Sequence, residues 1–208
     1  NLFQSYFEAD EWFHFTYYLP IIDQSNGFIT TLFKTFSDAD ALSRGQHILP
    51  IGEEIFFLNT KFFGINFFPY VSISLLLHSI NSFLVFLFTK ELFNIKSKKQ
   101  NFKAIIFPLL GGVFFALSPL GMHAVTWAAF YGQNVLSVTF FLLSLISFKV
   151  AFNTNRRKFL FLTILFLFLG LLTKESVAVL FLLLPLISIV EKRVFPMKFL
   201  LKLFAISL

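Results

Sequence analysis

Two adjacent carboxylates near the amino terminus are the first residues with evident chemical potential. Asp10 and Glu11 lie in the run A-D-E-W-F-H-F at 9–15, where Trp12 and His14 follow them. A carboxylate that is partly buried beside aromatic rings has a raised pKa and can act as a general base. The alternative is an interfacial segment whose acids are solvated and whose aromatic rings anchor it at a membrane surface.

A second group of polar side chains occupies residues 118–134, in the run S-P-L-G-M-H-A-V-T-W-A-A-F-Y-G-Q-N. The run is too apolar for a solvated loop, and Pro119, Gly121 and Gly132 interrupt it too often for a plain membrane span. We therefore expect a partly embedded outer loop. Five of its side chains could hydrogen-bond to or stack on a sugar or a lipid head group: His123, Trp127, Tyr131, Gln133 and Asn134. A capped helix turn with aromatic anchors is the competing interpretation.

The third group is the short run T-K-E-S at 173–176, which separates two apolar runs. Neighbouring helical residues do not face each other, so Lys174 and Glu175 are expected to have separate partners. A lysine at membrane depth is costly unless it meets an anion, and a phosphate on a lipid carrier would satisfy it. The alternative partner is a carboxylate of an outer loop.

The composition indicates that lipid forms part of the solvent. Apolar residues make up 57% of the 208 residues, or about 61% with the nine glycines added, and charged residues make up 13%. Soluble domains contain about 45–50% apolar and about 25% charged residues. A molecule of this size has too little interior for so many apolar side chains, so water-soluble globular classes are excluded.

Six apolar runs predict an all-α integral membrane protein, a multi-span helical bundle with about five spans and a truncated sixth. The runs lie near residues 67–89, 104–117, 135–152, 159–172, 177–190 and 199–208. As one helix, residues 159–190 would extend about 48 Å, far more than the hydrocarbon core, so a hairpin with T-K-E-S at its tip is expected. In the first run, His78 and Asn81 lie one helical turn apart and are expected to hydrogen-bond to neighbouring helices.

Basic residues set the expected topology. Lysines and arginines concentrate at 94–103, 153–158 and 191–198, which the positive-inside rule places in the cytoplasm. Residues 1–66 carry eight acidic and three basic residues, a net charge of −5, and are expected to form a large extracytoplasmic first loop with interfacial helices. All three polar groups then lie on one side of the membrane.

Several classes of function lack their sequence signals. The chain has no Cys, no H-E-x-x-H, no P-loop and no G-x-G-x-x-G. Despite a net charge of +6, the clustering of basic residues between apolar runs argues against nucleic acid as a partner. Glu53 and Glu54, with His47 just before them, are expected on an interfacial helix with its polar face turned outward.

The order of these features resembles the GT-C superfamily of integral-membrane glycosyltransferases, especially the branch with transmembrane TPR-repeat mannosyltransferases and their bacterial relatives. The similar segments are L-P-I-G-E-E-I-F-F-L-N-T-K-F-F-G-I-N-F-F-P-Y, L-L-L-H-S-I-N-S, F-A-L-S-P-L-G-M-H-A-V-T-W, G-Q-N-V-L-S and L-T-K-E-S. The family pattern has His at the positions of Ser118 and Gly121 and an acid at that of His123. The family's complete module has about twice as many spans, so the resemblance implies that this chain is its N-terminal half, with residues 1–66 and 67–208 parts of one larger module.

The resemblance implies transfer of a sugar from a polyprenyl-phosphate donor to a glycan, lipid or protein acceptor, with inversion, on the extracytoplasmic face of the cell membrane. Asp10 is then the expected general base, supported by Glu11. Lys174 would stabilise the departing phosphate, with Glu175, His123, Trp127, Gln133 and Asn134 as further substrate-binding residues. A divalent cation could take part, although no ligand set in the sequence demands one. Richness in Phe, Ile, Lys and Asn favours a bacterial plasma membrane.

Two other classes of function stay open at this point. A transporter or lipid flippase would use Lys174, Glu175 and His78 along a translocation path. A non-catalytic membrane scaffold would use the outer polar face as a docking surface. A transporter should carry polar groups through its full depth, whereas only His78 and Asn81 lie in the middle of a run.

Overall fold

A computed structural model describes residue 7, residues 11–12, 14–16, 50–92 and 102–190. These residues are 93% helical and contain no strand, so the all-α prediction is confirmed for this part of the chain. Asp10, His47 and the run at 199–208 lie outside the described residues. The helices are α1 (Pro50–Phe63), α2 (Phe67–Leu92), α3 (Phe102–Leu117), α4 (Pro119–Thr126), α5 (Tyr131–Thr154), α6 (Arg157–Thr173) and α7 (Leu180–Val190). Two 3-10 turns, Ala128–Phe130 and Glu175–Val179, precede α5 and α7.

The helices follow the apolar runs closely. Residues 159–190 form two helices, as expected, because α6 ends at Thr173 and the backbone of Lys174 is extended (φ −161°, ψ 130°). The expectation of a loop at 118–134 is wrong. Ser118 interrupts the helical backbone, Pro119 starts α4, and α5 already begins at Tyr131, so that most of this segment is helical.

The fifth helix is central to the packing. It contacts α6 along much of its length, and also contacts α1 and α2, while α2 packs on α3. Asn81 of α2 donates from Nδ2 to the Val135 carbonyl (2.9 Å), and its Oδ1 accepts from Thr139 Oγ1 (2.7 Å). His78 Nε2 lies 3.2 Å from the carbonyl oxygen of Ala116 on α3. The predicted packing role of His78 and Asn81 is therefore confirmed.

Glycine allows α1 to lie directly on the beginning of α5. A Cβ atom at Gly132 would stand only 3.0 Å from Ile55 Cγ2, and a Cβ atom at Gly52 would overlap with the side chain of Gln133. The two backbones can approach this closely because neither glycine carries a side chain. The polar side chains that begin α5 are thereby brought against α1.

The two ends of α5 differ in their chemistry. One end carries Gln133 and Asn134, whereas at the other Asn153 Nδ2 donates to Glu91 Oε2 (3.1 Å). The exposed bases Arg156, Arg157 and Lys158 follow at that second end. Asn134 and Asn153 are 19 residues apart, which corresponds to about 28 Å along a helix. This separation is close to the thickness of a hydrocarbon core, about 30 Å.

Two helices, Phe67–Leu92 and Ala128–Thr154, are long and apolar enough to cross a membrane. Only 28% of the most apolar part of Phe67–Leu92 is buried, whereas the core helix of a soluble protein is mostly buried. Large apolar side chains are exposed on four helices: Phe68, Leu76 and Phe83 on α2, Phe107, Phe114 and Leu117 on α3, Phe161 and Phe168 on α6, and Leu182, Leu186 and Ile189 on α7.

Candidate functional site

Glu11 is fully buried and holds the amino-terminal segment against the start of α5. Its Oε1 accepts a hydrogen bond from the backbone N–H of Ala129, at 2.6 Å. A hydrogen bond from a backbone N–H to a carboxylate is strong, and the positive end of the helical backbone also favours the negative charge. Glu11 therefore anchors its own part of the chain just before α5, and its neighbour Asp10 lies outside the described residues.

Glu53 links the amino-terminal segment to α5. Its Oε1 accepts a hydrogen bond from Gln133 Nε2 (2.9 Å), and its Oε2 lies 3.9 Å from His14 Nδ1. The His14 ring packs edge-on against Phe130, with 4.8 Å between ring centroids. Gln133 thus belongs to the same cluster as two residues of the first loop.

Lys174 lies beside the next residue of α5. Its Nζ donates to Asn134 Oδ1 at 2.5 Å, and the lysine side chain is half-buried. No carboxylate of the described residues forms an ion pair with Lys174. The structure therefore brings Asn134 into contact with Lys174 and Gln133 into contact with Glu53. We call these two pairs, together with His14, the polar cluster.

The polar cluster keeps opposite charges apart. Glu53 is held by the amide of Gln133 and Lys174 by the amide of Asn134, although these amides belong to consecutive residues. A direct ion pair would neutralise both groups and leave little attraction for a ligand. A half-buried ammonium that is bonded to a neutral amide keeps its charge for an incoming anion, and partial burial strengthens that attraction.

Glu54 contradicts the expectation of an outward-facing carboxylate. It is only 6% exposed, and among the described residues neither carboxylate oxygen has a hydrogen-bond partner. Burial raises the pKa of the Glu54 carboxyl above its ordinary value. Pro50 and Phe57, about one turn away on the same helix, are buried as well. An unsatisfied buried polar group costs roughly 1–3 kcal/mol even when it is neutral.

His123 and Trp127 form a separate aromatic pair on α4 and just after it. Their rings meet edge-on at 5.5 Å, and His123 is exposed. No contact among the described residues joins His123 to the polar cluster. Trp127 packs edge-on against Phe130, at 6.2 Å, and Phe130 is also the ring that His14 contacts. Glu175 is exposed at the start of its 3-10 turn.

The described residues contain no group of three or more His, Asp or Glu side chains that could hold a metal ion. Glu53 and His14 approach each other, but a divalent cation such as Mg²⁺ or Ca²⁺ needs six or more oxygen ligands. The participation of a divalent cation therefore stays an untested expectation.

The sequence analysis did not predict the contacts of Glu53 with Gln133 and His14, and it expected Glu54 to face outward. A helical wheel offered one signal, since positions 53 and 54 differ by 100° and cannot both face outward on a helix buried on several sides. The pairing of Glu53 with Gln133, which is 80 residues away, has no local signal.

Comparisons with protein-family models, with curated proteins and with solved structures found no match for this chain.

Proposed function

We propose that the chain is a multi-pass membrane protein of the cell membrane, with the polar cluster on the extracytoplasmic side. The two long apolar helices and the apolar side chains exposed on α2, α3, α6 and α7 support a lipid environment. The bases Arg156, Arg157 and Lys158 stand at the opposite end of α5 from the cluster, as the positive-inside rule requires for this orientation.

Within this membrane protein, the function that the site supports best is glycosyl transfer from a polyprenyl-phosphate sugar to an acceptor hydroxyl. The observation that carries this proposal is Lys174, a half-buried cation whose partner is the neutral amide of Asn134. An anion is the natural ligand of such a group, and the phosphate of a membrane lipid would arrive at this depth. The resemblance to the GT-C superfamily supplies the reaction class and the acceptor classes of glycan, lipid or protein.

The chemistry follows from three roles. An acceptor oxygen attacks the anomeric carbon while its proton passes to the Asp10 carboxylate. The bond between that carbon and the phosphate oxygen breaks, and its electron pair stays on the phosphate. Lys174 stabilises the resulting negative charge because it is in place before the reaction begins. Attack opposite the leaving group inverts the anomeric configuration.

Glu11 acts through Asp10 rather than on the substrate. Its carboxylate accepts a hydrogen bond from the backbone N–H of Ala129 and so anchors Glu11 itself just before α5. A carboxylate already bonded to a backbone N–H is a weaker base than one without such a bond.

The buried polar residues favour this function over a transporter. His78 and Asn81 lie at the depth where a translocation path would pass, but each bonds to the backbone of a neighbouring helix. Ser144 likewise donates to the carbonyl of Thr163, at 3.0 Å. Polar groups committed to helix packing offer no continuous route for a polar substrate.

The test is transfer from a radiolabelled polyprenyl-phosphate hexose by the membrane-embedded protein. Asp10→Asn should abolish transfer and leave membrane insertion unchanged, because the amide keeps the shape of the side chain and loses its basicity. Asp23→Asn, a change of the same kind in the same loop, should retain activity. Transfer by the Asp10→Asn protein at the wild-type rate would remove Asp10 from the mechanism.

A further inference from the structure

One face of α6 combines positive charge with exposed apolar side chains. Arg156 and Arg157 are exposed where the helix begins, and neither forms an ion pair with an acid of the described residues. After the first two residues of α6, its exposed residues are all apolar: Phe161, Leu165 and Phe168. None of these side chains takes part in the chemistry proposed above.

Helical geometry aligns these side chains. At 100° per residue, Arg157, Phe161, Leu165 and Phe168 lie within about 80° of one another around the helix axis. We call these four residues the outer face of α6. The buried residues of α6 lie on the opposite side of the helix, where it packs against α5: Thr163, Leu167, Gly170 and Thr173.

The length of the outer face matches one leaflet of a membrane. The helix rises about 16 Å from Arg157 to Phe168, and half of a hydrocarbon core measures about 15 Å. The arginines stand at the end of α5 where Asn153 bonds to Glu91 of α2, so the ends of three helices meet at this level. By the orientation proposed above, this is the cytoplasmic side.

The order of charge and apolar surface favours a phospholipid over other occupants. A guanidinium binds phosphate through two parallel hydrogen bonds. A soluble phosphate would leave the apolar side chains uncovered, and an apolar helix of another protein would leave the arginines without an anion. A phospholipid supplies both partners, because its acyl chains extend from its phosphate as the apolar side chains extend from Arg157.

The neighbouring lysine has a contact of its own. The ammonium group of Lys158 lies 5.1 Å from the centroid of the Phe159 ring, which is a distance at which a cation and an aromatic ring attract each other. The two arginines are therefore the bases available to a head group, and Lys158 provides a matched comparison.

We propose that the outer face of α6 binds an anionic phospholipid of the cytoplasmic leaflet, with the phosphate at Arg156 and Arg157 and an acyl chain along Phe161, Leu165 and Phe168. A zwitterionic lipid fits less well, because its ammonium group would stand near the arginines. This inference rests on the membrane location in the proposed function and is independent of glycosyl transfer.

A fluorophore at a single thiol tests the proposal, since the chain has no cysteine. The full chain with Leu165→Cys is labelled with bimane and reconstituted in phosphatidylcholine vesicles. Quenching by phosphatidylglycerol with brominated acyl chains is compared with quenching by brominated phosphatidylcholine. Ile80→Cys, at an exposed position of α2 far from the arginines, is the matched reporter.

The Leu165 reporter should show a preference for phosphatidylglycerol of about tenfold. Two bases beside a bilayer favour an anionic lipid by up to about 30-fold, and solvent screening of exposed charges reduces this factor. Arg156→Gln with Arg157→Gln should lower the preference to within about twofold of none. Arg156→Lys with Arg157→Lys should retain part of it. Lys158→Gln should retain nearly all of it, and the Ile80 reporter should show none.

Each other outcome overturns the inference. Equal quenching by the two lipids at Leu165 would mean that the face does not select anionic lipid. A loss in Lys158→Gln as large as in the double glutamine variant would mean that diffuse surface charge attracts the lipid. Reversal of the preference by excess inorganic phosphate would mean that the arginines bind a soluble anion.

The two reporters separate failure of this inference from failure of the membrane location. Quenching at Ile80 with none at Leu165 would mean that protein covers the outer face of α6, which defeats the inference alone. If neither reporter is quenched by either lipid, the chain is not embedded in the bilayer. The proposed membrane location then fails, and the inference fails with it.

Discussion

Replacing Lys174 with methionine should reduce kcat/KM for transfer by about 30-fold, and the structure allows this magnitude to be worked out. Two unit charges 4 Å apart interact by about 4 kcal/mol at an effective dielectric constant of about 20. Lys174 is half-buried, so solvent screening reduces the loss to about 2 kcal/mol, which corresponds to a factor of about 30. Methionine has a similar length and an apolar side chain without charge, so the change removes the charge with little change of shape.

The assay measures initial rates of hexose transfer from labelled polyprenyl phosphate in vesicles, with protein amounts equalised. Lys158→Met is the matched control, since Lys158 is an exposed lysine at the opposite end of the helices, 5.1 Å above the ring of Phe159. Lys174→Arg should restore part of the rate, because the charge returns in a different shape. A Lys174→Met rate within about threefold of wild type, or an equal loss in Lys158→Met, would refute the assignment of phosphate binding to Lys174.

Three further predictions concern topology and stability. The chain lacks cysteine, so Ser176→Cys and Thr154→Cys, both at exposed positions, should react with an impermeant thiol reagent from opposite sides of the membrane; labelling from one side would contradict the orientation. Asn81→Leu should cost about 0.6–1.7 kcal/mol and lower the unfolding temperature, whereas Ser79→Leu on the exposed face of α2 should not. Burial raises the pKa of Glu54 above its ordinary value of 4.5. The stability of the wild type relative to Glu54→Gln should therefore fall as the pH rises from 4.5 to the raised pKa, and should then level off. Unfolding measured over a range of pH tests this, and a difference in stability that does not change with pH would contradict the burial of the carboxyl group.

The positions of the helices could be predicted from the sequence because each apolar run is bounded by polar or helix-breaking residues. Lys174 and its neighbours mark one boundary by polarity, and Ser118 with Pro119 marks another by backbone restriction. The start of α5 was predicted late because Gly132, Gln133 and Asn134 look like turn residues. In the fold, Gly132 is instead required for the approach of α1.

The membership of the site could be predicted only in part. Hydropathy and charge counting predict that Gln133, Asn134 and Lys174 lie at the same end of the protein, and the structure brings Asn134 and Lys174 into contact. The pairing of Glu53 rather than Glu54 with Gln133 depends on the orientation of α1 about its own axis. This rotation about the axis is determined by packing against residues far away in the sequence. The burial of Glu54 is a result of this rotation, so periodicity within α1 did not reveal it.

Because Gly52 has no side chain, Gln133 can lie close to α1 and hold the charged side chain of Glu53. A methyl group there would displace Gln133, the residue that holds Glu53. A genetic screen for inactive variants should therefore recover Gly52→Ala, although this substitution neither adds nor removes a polar atom. The substitution changes only the packing between α1 and α5, but its observed effect would be a loss of substrate recognition.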